Sequence, residues 1–252
     1  MAEKTLYLEL TNENTAPYVI FSGDPRRVEK IITQLDSYEK IAVNREFHTY
    51  TGLYHGVPVT VSSTGIGGPS AAIALEEFFE TGIKVAVRLG TVMGLKDNLG
   101  KFLVPSAAVR KEKTSENYVE LGYPAVADFT LLQLMNESIQ KNGRIADNGI
   151  VYSTDGYYTE MKESRLSKKL GGDAVQRMQE LVKYNISGMD METATLLTLG
   201  NLMGIKACSV TLATVTNNLE TKLAPSKRIH EEEVLAKIVL DGIAAYHESQ
   251  VD

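Results

Sequence analysis

The sequence predicts a single α/β domain over residues 1–252, a β-sheet covered by helices, and three observations predict it. Short β-branched runs alternate with longer helical patterns, the order expected when each strand is followed by a covering helix. Hydrophobic residues make up 43% and charged residues 23%, close to the globular average, so a core can form without disulfides or a metal. No repeat or low-complexity linker divides the chain, and its 252 residues lie within the size range of single α/β domains.

Taken in order, Tyr18–Phe21 is an apolar run that reads as a strand, and Pro25 then starts a helix reaching about Leu35. Val59–Ser62 is the next strand, followed by a helix from Pro69 to about Glu80 and a strand at Ile83–Arg88. A strand is expected over Phe102–Val109, and helices over Phe129–Lys141 and Met189–Met203. Ile205–Ala213 reads as a buried strand, and the last helix starts near His230. Tyr157–Asp173 carries seven charged residues and two adjacent glycines; it reads as a long mobile segment of the kind that covers a site, or equally as a solvated loop with a frayed helix.

The net charge of −6 argues against a nucleic-acid surface, which needs clustered Lys and Arg, and favours a small ligand. No run approaches the roughly 18 apolar residues of a membrane span, and the first residues lack the basic and apolar parts of a secretory signal, so the cytoplasm is expected. The one cysteine, Cys208, sits in an apolar run and reads as a small core residue rather than a nucleophile.

Four motifs carry chemistry. Gly23-Asp-Pro-Arg-Arg27 joins a strand to a helix whose first backbone N–H groups are free to hold an anion, although Gly-Asp-Pro is also a common turn. Ser63–Glu77 contains three glycines that allow a tight strand-to-helix turn, and it lacks both the Gly-Lys-Ser/Thr ending of a triphosphate loop and the dinucleotide glycine spacing. Arg88-Leu-Gly-Thr91 closes a strand with a guanidinium and a hydroxyl, at the sheet end where ligands gather. Gly188–Leu197 places Asp190 and Glu192 at the start of an apolar helix; capping explains Asp190, whereas Glu192 is suited to a sugar hydroxyl pair in a cleft.

These four motifs resemble, in order and approximate spacing, the nucleoside phosphorylase family that includes uridine phosphorylase and hexameric purine nucleoside phosphorylase. The resemblance runs from about Tyr7 to Tyr246 and is most specific at Ser63–Glu77, departing only at Phe78, where a leucine is usual. Gly23–Arg27, Arg45-Glu-Phe47, Pro124–Phe129 and Met189–Leu196 look most like the uridine phosphorylase branch.

The resemblance implies a central mixed β-sheet flanked by helices and a reaction in which phosphate attacks the anomeric carbon of a nucleoside. It implies a phosphate site of Gly23, Arg27, Arg88 and Thr91, with Arg45 supplied by a neighbouring subunit. The ribose would meet Glu192, Asp190, Met191 and a neighbouring Tyr7, and the base Met93, Tyr157, Met161 and Asn217. Arg88 and Glu192 are the residues expected to act in catalysis. No metal or organic cofactor is implied, inorganic phosphate being the co-substrate, and the partner is a second copy, in a dimer or a hexamer built from dimers.

Several positions depart from the family pattern. Tyr7 stands where a histidine is common, Val92-Met93 replaces small residues, Lys101 replaces an aspartate, and the loop Gly94–Lys101 is about two residues short. Met161 and Glu163 occupy the places of the glutamine and arginine that read uracil, and Asn217 that of the aspartate that protonates purines. Two rival readings follow: a nucleosidase using water, which the three arginines disfavour, and a nucleoside-binding or storage protein that has lost turnover.

Overall fold

The structure is a computed structural model, and it describes residues 3–216 and 219–250. The chain begins its sheet with β1 (Tyr18–Ser22), buried along its whole length, and Asp24 caps α1 (Pro25–Ile32) by accepting the Arg26 N–H at 3.0 Å. A hairpin of β2 (Ser37–Asn44) and β3 (Phe47–Tyr54) leads to β4 (Val57–Ser63) and α2 (Gly68–Glu80). The ten-residue β5 (Val85–Gly94) is the longest strand of the first half. Short strands β6 (Phe102–Leu103), β7 (Ala107–Arg110) and β8 (Ala125–Val126) precede α3 (Phe129–Lys141). Next come β9 (Ala146–Asp147), β10 (Ile150–Ser153), α4 (Arg165–Lys169) and α5 (Ala174–Lys183). The chain continues with β11 (Ile186–Asp190), α6 (Thr193–Met203), β12 (Lys206–Thr216), β13 (Thr221–Lys222) and α7 (Pro225–Glu248).

The strands form one mixed sheet in the order β2-β3-β4-β1-β5-β11-β10-β7-β8, with β12 running parallel along the other edge of β5. One core lies between the sheet and α1, α3 and α7, and a second, built on Phe78, Leu75, Leu196 and Leu199, lies under α2 and α6. This is the single α/β domain with a central mixed sheet that the sequence implies.

One feature of the sheet makes the cleft. β1 pairs in parallel with Val85–Arg88 of β5, whereas β11 pairs antiparallel with Met93 and Gly94 on the same edge. The stretch Leu89–Val92 between them has no strand on that edge among the described residues. Because β11 is antiparallel, the chain leaving Met189 runs back beside this gap, bringing Asp190, Met191 and Glu192 toward Arg88. Gly188 permits the approach: a Cβ there would lie 2.8 Å from Val92 Cγ2 and 3.0 Å from the Met93 carbonyl oxygen.

The structure corrects several sequence expectations. Helix α1 ends at Ile32 rather than Leu35, and the strand expected at Ile83–Arg88 starts at Val85 and continues to Gly94. The run Phe102–Val109 is split into β6 and β7, with Pro105, which cannot donate to a ladder, between them. Met189 and Asp190 belong to a strand, not a helix, because pairing with β5 and β10 outweighs their local preference; the helix starts at Thr193. Helix α7 starts at Pro225, about a turn before His230. Tyr157–Asp173 holds more than a loop with a frayed helix: a π-helical turn at Tyr157–Met161 precedes α4, which Ser164 and Ser167 open with a reciprocal capping box.

Gly188→Ala is expected to lower stability by ~1–3 kcal/mol, because a methyl forced between β11 and β5 must push one strand aside. Urea unfolding of the variant beside the parent chain checks this, and an unchanged midpoint refutes the close-packing argument.

Candidate functional site

A cavity of about 700 Å³ occupies the gap, walled by the β1–α1 turn, the middle of β5 and the chain leaving β11. At its first corner, Gly23 presses against the Ser63–Glu77 turn, where an added Cβ would sit 3.0 Å from the Gly65 carbonyl oxygen. Only a residue without a side chain lets these two strand-to-helix turns abut. Arg27, one turn into α1, lines the cavity with 7% of its surface exposed. Its Nη1 donates to Ser22 Oγ at 3.1 Å, its Nη2 lies 3.5 Å from Glu232 Oε1, and its buried Nε has no partner. Burial pushes the Arg27 pKa below its ordinary value, with the attraction of Glu232 and Asp24 opposing.

Arg88 occupies the centre. Its guanidinium folds back over Gly90, where a Cβ would lie 2.6 Å from Nη1, so the glycine makes the space the side chain uses. Nε donates to Asp190 Oδ2 at 3.1 Å and to Thr193 Oγ1 at 3.3 Å, while Nη2 meets Glu192 Oε2 at 2.8 Å. Burial alone would lower the Arg88 pKa; the facing carboxylates of Glu192 and Asp190 outweigh it and hold the pKa above the ordinary value.

The two carboxylates differ in what they have left to offer. Asp190 accepts from Ser153 Oγ at 2.5 Å, from Thr193 Oγ1 at 2.5 Å and from the Thr193 N–H at 3.2 Å, besides Arg88. Protein donors thus engage both oxygens, and Asp190, which lines the cavity, orients Arg88. Glu192 accepts from the Gly67 N–H at 2.7 Å, turned toward the carboxylate from a φ of +95°, and from the Met191 N–H. Burial raises the Glu192 pKa, and Asp190 adds to it, against the opposing pull of Arg88 and of the Gly67 and Met191 N–H groups.

Thr91, Met191, Met93, Tyr157 and Met161 also line the cavity. Met93 is 1% exposed and packs with Met161 and Met189, so this end is a wall of thioethers. Glu163, expected beside the base, pairs instead with Lys168 at 3.0 Å, and neither it nor the exposed Arg165 reaches the lining. Lys101 donates to the Asp97 carbonyl at 2.7 Å, away from the cavity. Asn217 lies outside the described residues. Sequence reasoning missed Glu46, Ile66, Val215 and Leu219, which line the cavity. Ile66 had a signal in being an apolar residue inside the glycine turn, where the structure leaves it 77% exposed; the other three reach the cavity through tertiary folding alone.

Tyr7 and Arg45 stand apart from this cavity and together. Arg45, at a φ of +53° in the β2–β3 turn, places its guanidinium carbon 5.4 Å from the centre of the Tyr7 ring. Glu77 accepts the Tyr7 N–H at 2.8 Å and the Leu8 N–H at 2.8 Å, which fixes this ledge to α2. Among the described residues no group of three His, Cys, Asp or Glu could hold a metal ion, and no helix is long and apolar enough to cross a membrane.

A family model described as the phosphorylase superfamily matches residues 17–243. The chain is 39% identical to a uridine phosphorylase from Thermococcus kodakarensis over 209 residues, covering 81% of this chain and 76% of the relative. Among solved structures, it superposes on a uridine phosphorylase from Vibrio fischeri with a TM-score of 0.82 at 30% identity, covering 97% of this chain and 98% of that one. A purine nucleoside phosphorylase from Toxoplasma gondii, solved in complex with immucillin-H, gives a TM-score of 0.87 at 28% identity, covering 99% and 98%.

Two outcomes are expected of this geometry. Asp190→Ala strands the buried guanidinium and lowers stability by ~3–5 kcal/mol, measured by urea unfolding; a loss below about 1 kcal/mol removes Asp190 as the anchor. Cys208, fully buried with its thiol pushed up to about 12 by burial, stays unreactive to a thiol reagent at pH 8 until the chain is unfolded. Rapid labelling of the native protein would contradict that environment.

Proposed function

The chain belongs to the phosphorylase superfamily, and from that premise we propose that it is a nucleoside phosphorylase, transferring the pentosyl group of a nucleoside to inorganic phosphate and releasing the free base. The observation that carries this reading is the meeting of two buried guanidinium groups, Arg27 and Arg88, with one underused buried carboxylate, Glu192, in a single cavity. A hydrolase using water has no need of two buried cations there, whereas a phosphate nucleophile does.

In this reading phosphate lies against the Gly23 turn, Arg27, Arg88 and Thr91, and its fixed position beneath the sugar supplies the orientation that lowers the barrier. Glu192 receives the ribose hydroxyls, with Met191 beside the ring. Without ligand, Arg88 and Glu192 neutralise one another at 2.8 Å; with ligand, Arg88 shares its donors with the anion and Glu192 accepts from the sugar. As the C1′–N bond breaks, the electron pair leaves with the base and a phosphate oxygen closes on C1′. These roles call for no metal or organic cofactor.

The thioether wall bears on the base. Tyr157 offers a ring for stacking on either base type, and among the described residues that end presents no amide or guanidinium to stabilise charge on a departing pyrimidine. Purine nucleosides are therefore the better substrates in this proposal, and uridine a weak one. The same wall favours the second reading, a nucleoside-binding protein with little turnover.

The ledge of half-buried Tyr7 and exposed Arg45, off the chain's own cavity, supports a homo-oligomer in which each copy completes its neighbour's site, a dimer or a hexamer built from dimers. The proposed setting is cytoplasmic nucleoside catabolism and salvage.

Base release from uridine, thymidine, deoxyuridine, inosine, guanosine and adenosine, with and without phosphate, tests the proposal. Release of a purine base only when phosphate is present is the expected result; equal release without phosphate means a nucleosidase, and binding without release means the binding protein. Arg88→Lys is expected to lower kcat/KM by ~30-fold or more, equivalent to at least ~2 kcal/mol of transition-state stabilisation, while retaining the charge Asp190 and Glu192 require. Mixed Arg45→Ala and Arg88→Ala subunits are expected to regain part of the activity that each lacks alone; no recovery sinks the shared site.

A further inference from the structure

Glu232 lies in α7, outside the cavity wall, yet three cations converge on its carboxylate, which is only 6% exposed. Arg27 Nη2 is 3.5 Å from Oε1, Arg228 Nε is 3.0 Å from the same oxygen, and Lys30 Nζ is 3.1 Å from Oε2. Of these cations only Arg27 lines the cavity. Its other anchor is the neutral Ser22 hydroxyl, and its Nε has no protein partner. A buried guanidinium with one neutral bond and an open Nε has several orientations of similar energy, and a nearby fixed anion selects among them. Burial works to raise the Glu232 pKa, but the three cations reverse this and hold it below the ordinary carboxylate value, so the anion is present throughout the neutral range.

We infer that Glu232 is a positioning residue for phosphate binding: it holds Arg27 so that its guanidinium serves the anion in the cavity. It also limits the positive charge at the α1–α7 junction, where Arg27, Lys30 and Arg228 would otherwise repel one another. This rests on the reading of Arg27 as a phosphate ligand. A purely structural role is the competing account, because Lys30 and Arg228 already tie Glu232 to the two helices.

The experiment uses the full chain as the parent, Arg27→Ala, Glu232→Gln and the double variant, titrating inorganic phosphate and, separately, the nucleoside the parent cleaves fastest. Glu232→Gln is expected to raise the phosphate KM about tenfold and leave the nucleoside KM within about twofold, the loss of one charge-assisted interaction acting on one ligand. Added to Arg27→Ala, it is expected to change the phosphate KM no further, since Glu232 acts through Arg27. An unchanged phosphate KM in folded Glu232→Gln, equal rises for both ligands, or additive penalties in the double variant overturns the inference in favour of the structural role. Should Glu232→Gln fail to fold, Glu232→Asp, which keeps the charge one methylene further back, is read by the same criteria. A parent that binds no phosphate by calorimetry overturns both this inference and the proposed function. A phosphate KM raised by Arg27→Ala but not by Glu232→Gln overturns this inference alone.

Discussion

Arg88 is the constraint around which the sheet end is arranged. A guanidinium taken out of water in mid-strand is tolerated only when most of its donors are met and its charge is balanced, and neighbouring elements supply this. Asp190 ends β11, Glu192 stands just before the first residue of α6, Thr193 and Ser153 hold Asp190, and Gly67 holds Glu192. Gly90 gives the side chain its space, and Gly188 brings β11 close enough for its carboxylates to arrive. The antiparallel strand in an otherwise largely parallel neighbourhood is thus what delivers two acids to one base.

Burial of the trio also fixes the division of labour between the carboxylates. Asp190, saturated by hydroxyl and backbone donors, is locked in place and locks Arg88. Glu192, with the Gly67 and Met191 N–H groups and one guanidinium, keeps capacity for a ligand, and burial holds its pKa above the ordinary value. The phosphorylase superfamily assignment fits a site in which the anion and the sugar compete for, and then share, groups that neutralise each other when alone.

Much of this was legible in the sequence because the informative residues are local. Gly23-Asp-Pro-Arg-Arg27, Ser63–Glu77 and Arg88-Leu-Gly-Thr91 each announce a strand end with a turn residue and a polar group side by side, and all line or abut the cavity. Strand β2 was not legible, since Ala42 is its only buried residue and no apolar stripe marks it. Met189 and Asp190 misled because Met-Asp-Met-Glu suits a helix start, and only pairing with β5 and β10 makes them strand. Asp190 was visible as a site residue but not its role, which depends on Ser153, 37 residues away. Glu232 sits in the run Glu231-Glu-Glu233, which looks like a solvated charge cluster until α7 packs on α1.

The unbroken length of β5 has a mechanical consequence. The strand that meets β1 at Arg88 is the one that meets β11 at Met93, and β12 stiffens it along its other edge. Both walls of the cleft are therefore attached to a single beam, the Val85–Gly94 strand, which carries the Arg88 that Asp190 and Glu192 meet. The outer fittings of the cavity, the exposed Ile66 turn, the Tyr157 turn and Leu219, lie outside that beam, so substitutions there can reshape the lining without disturbing its strand pairing.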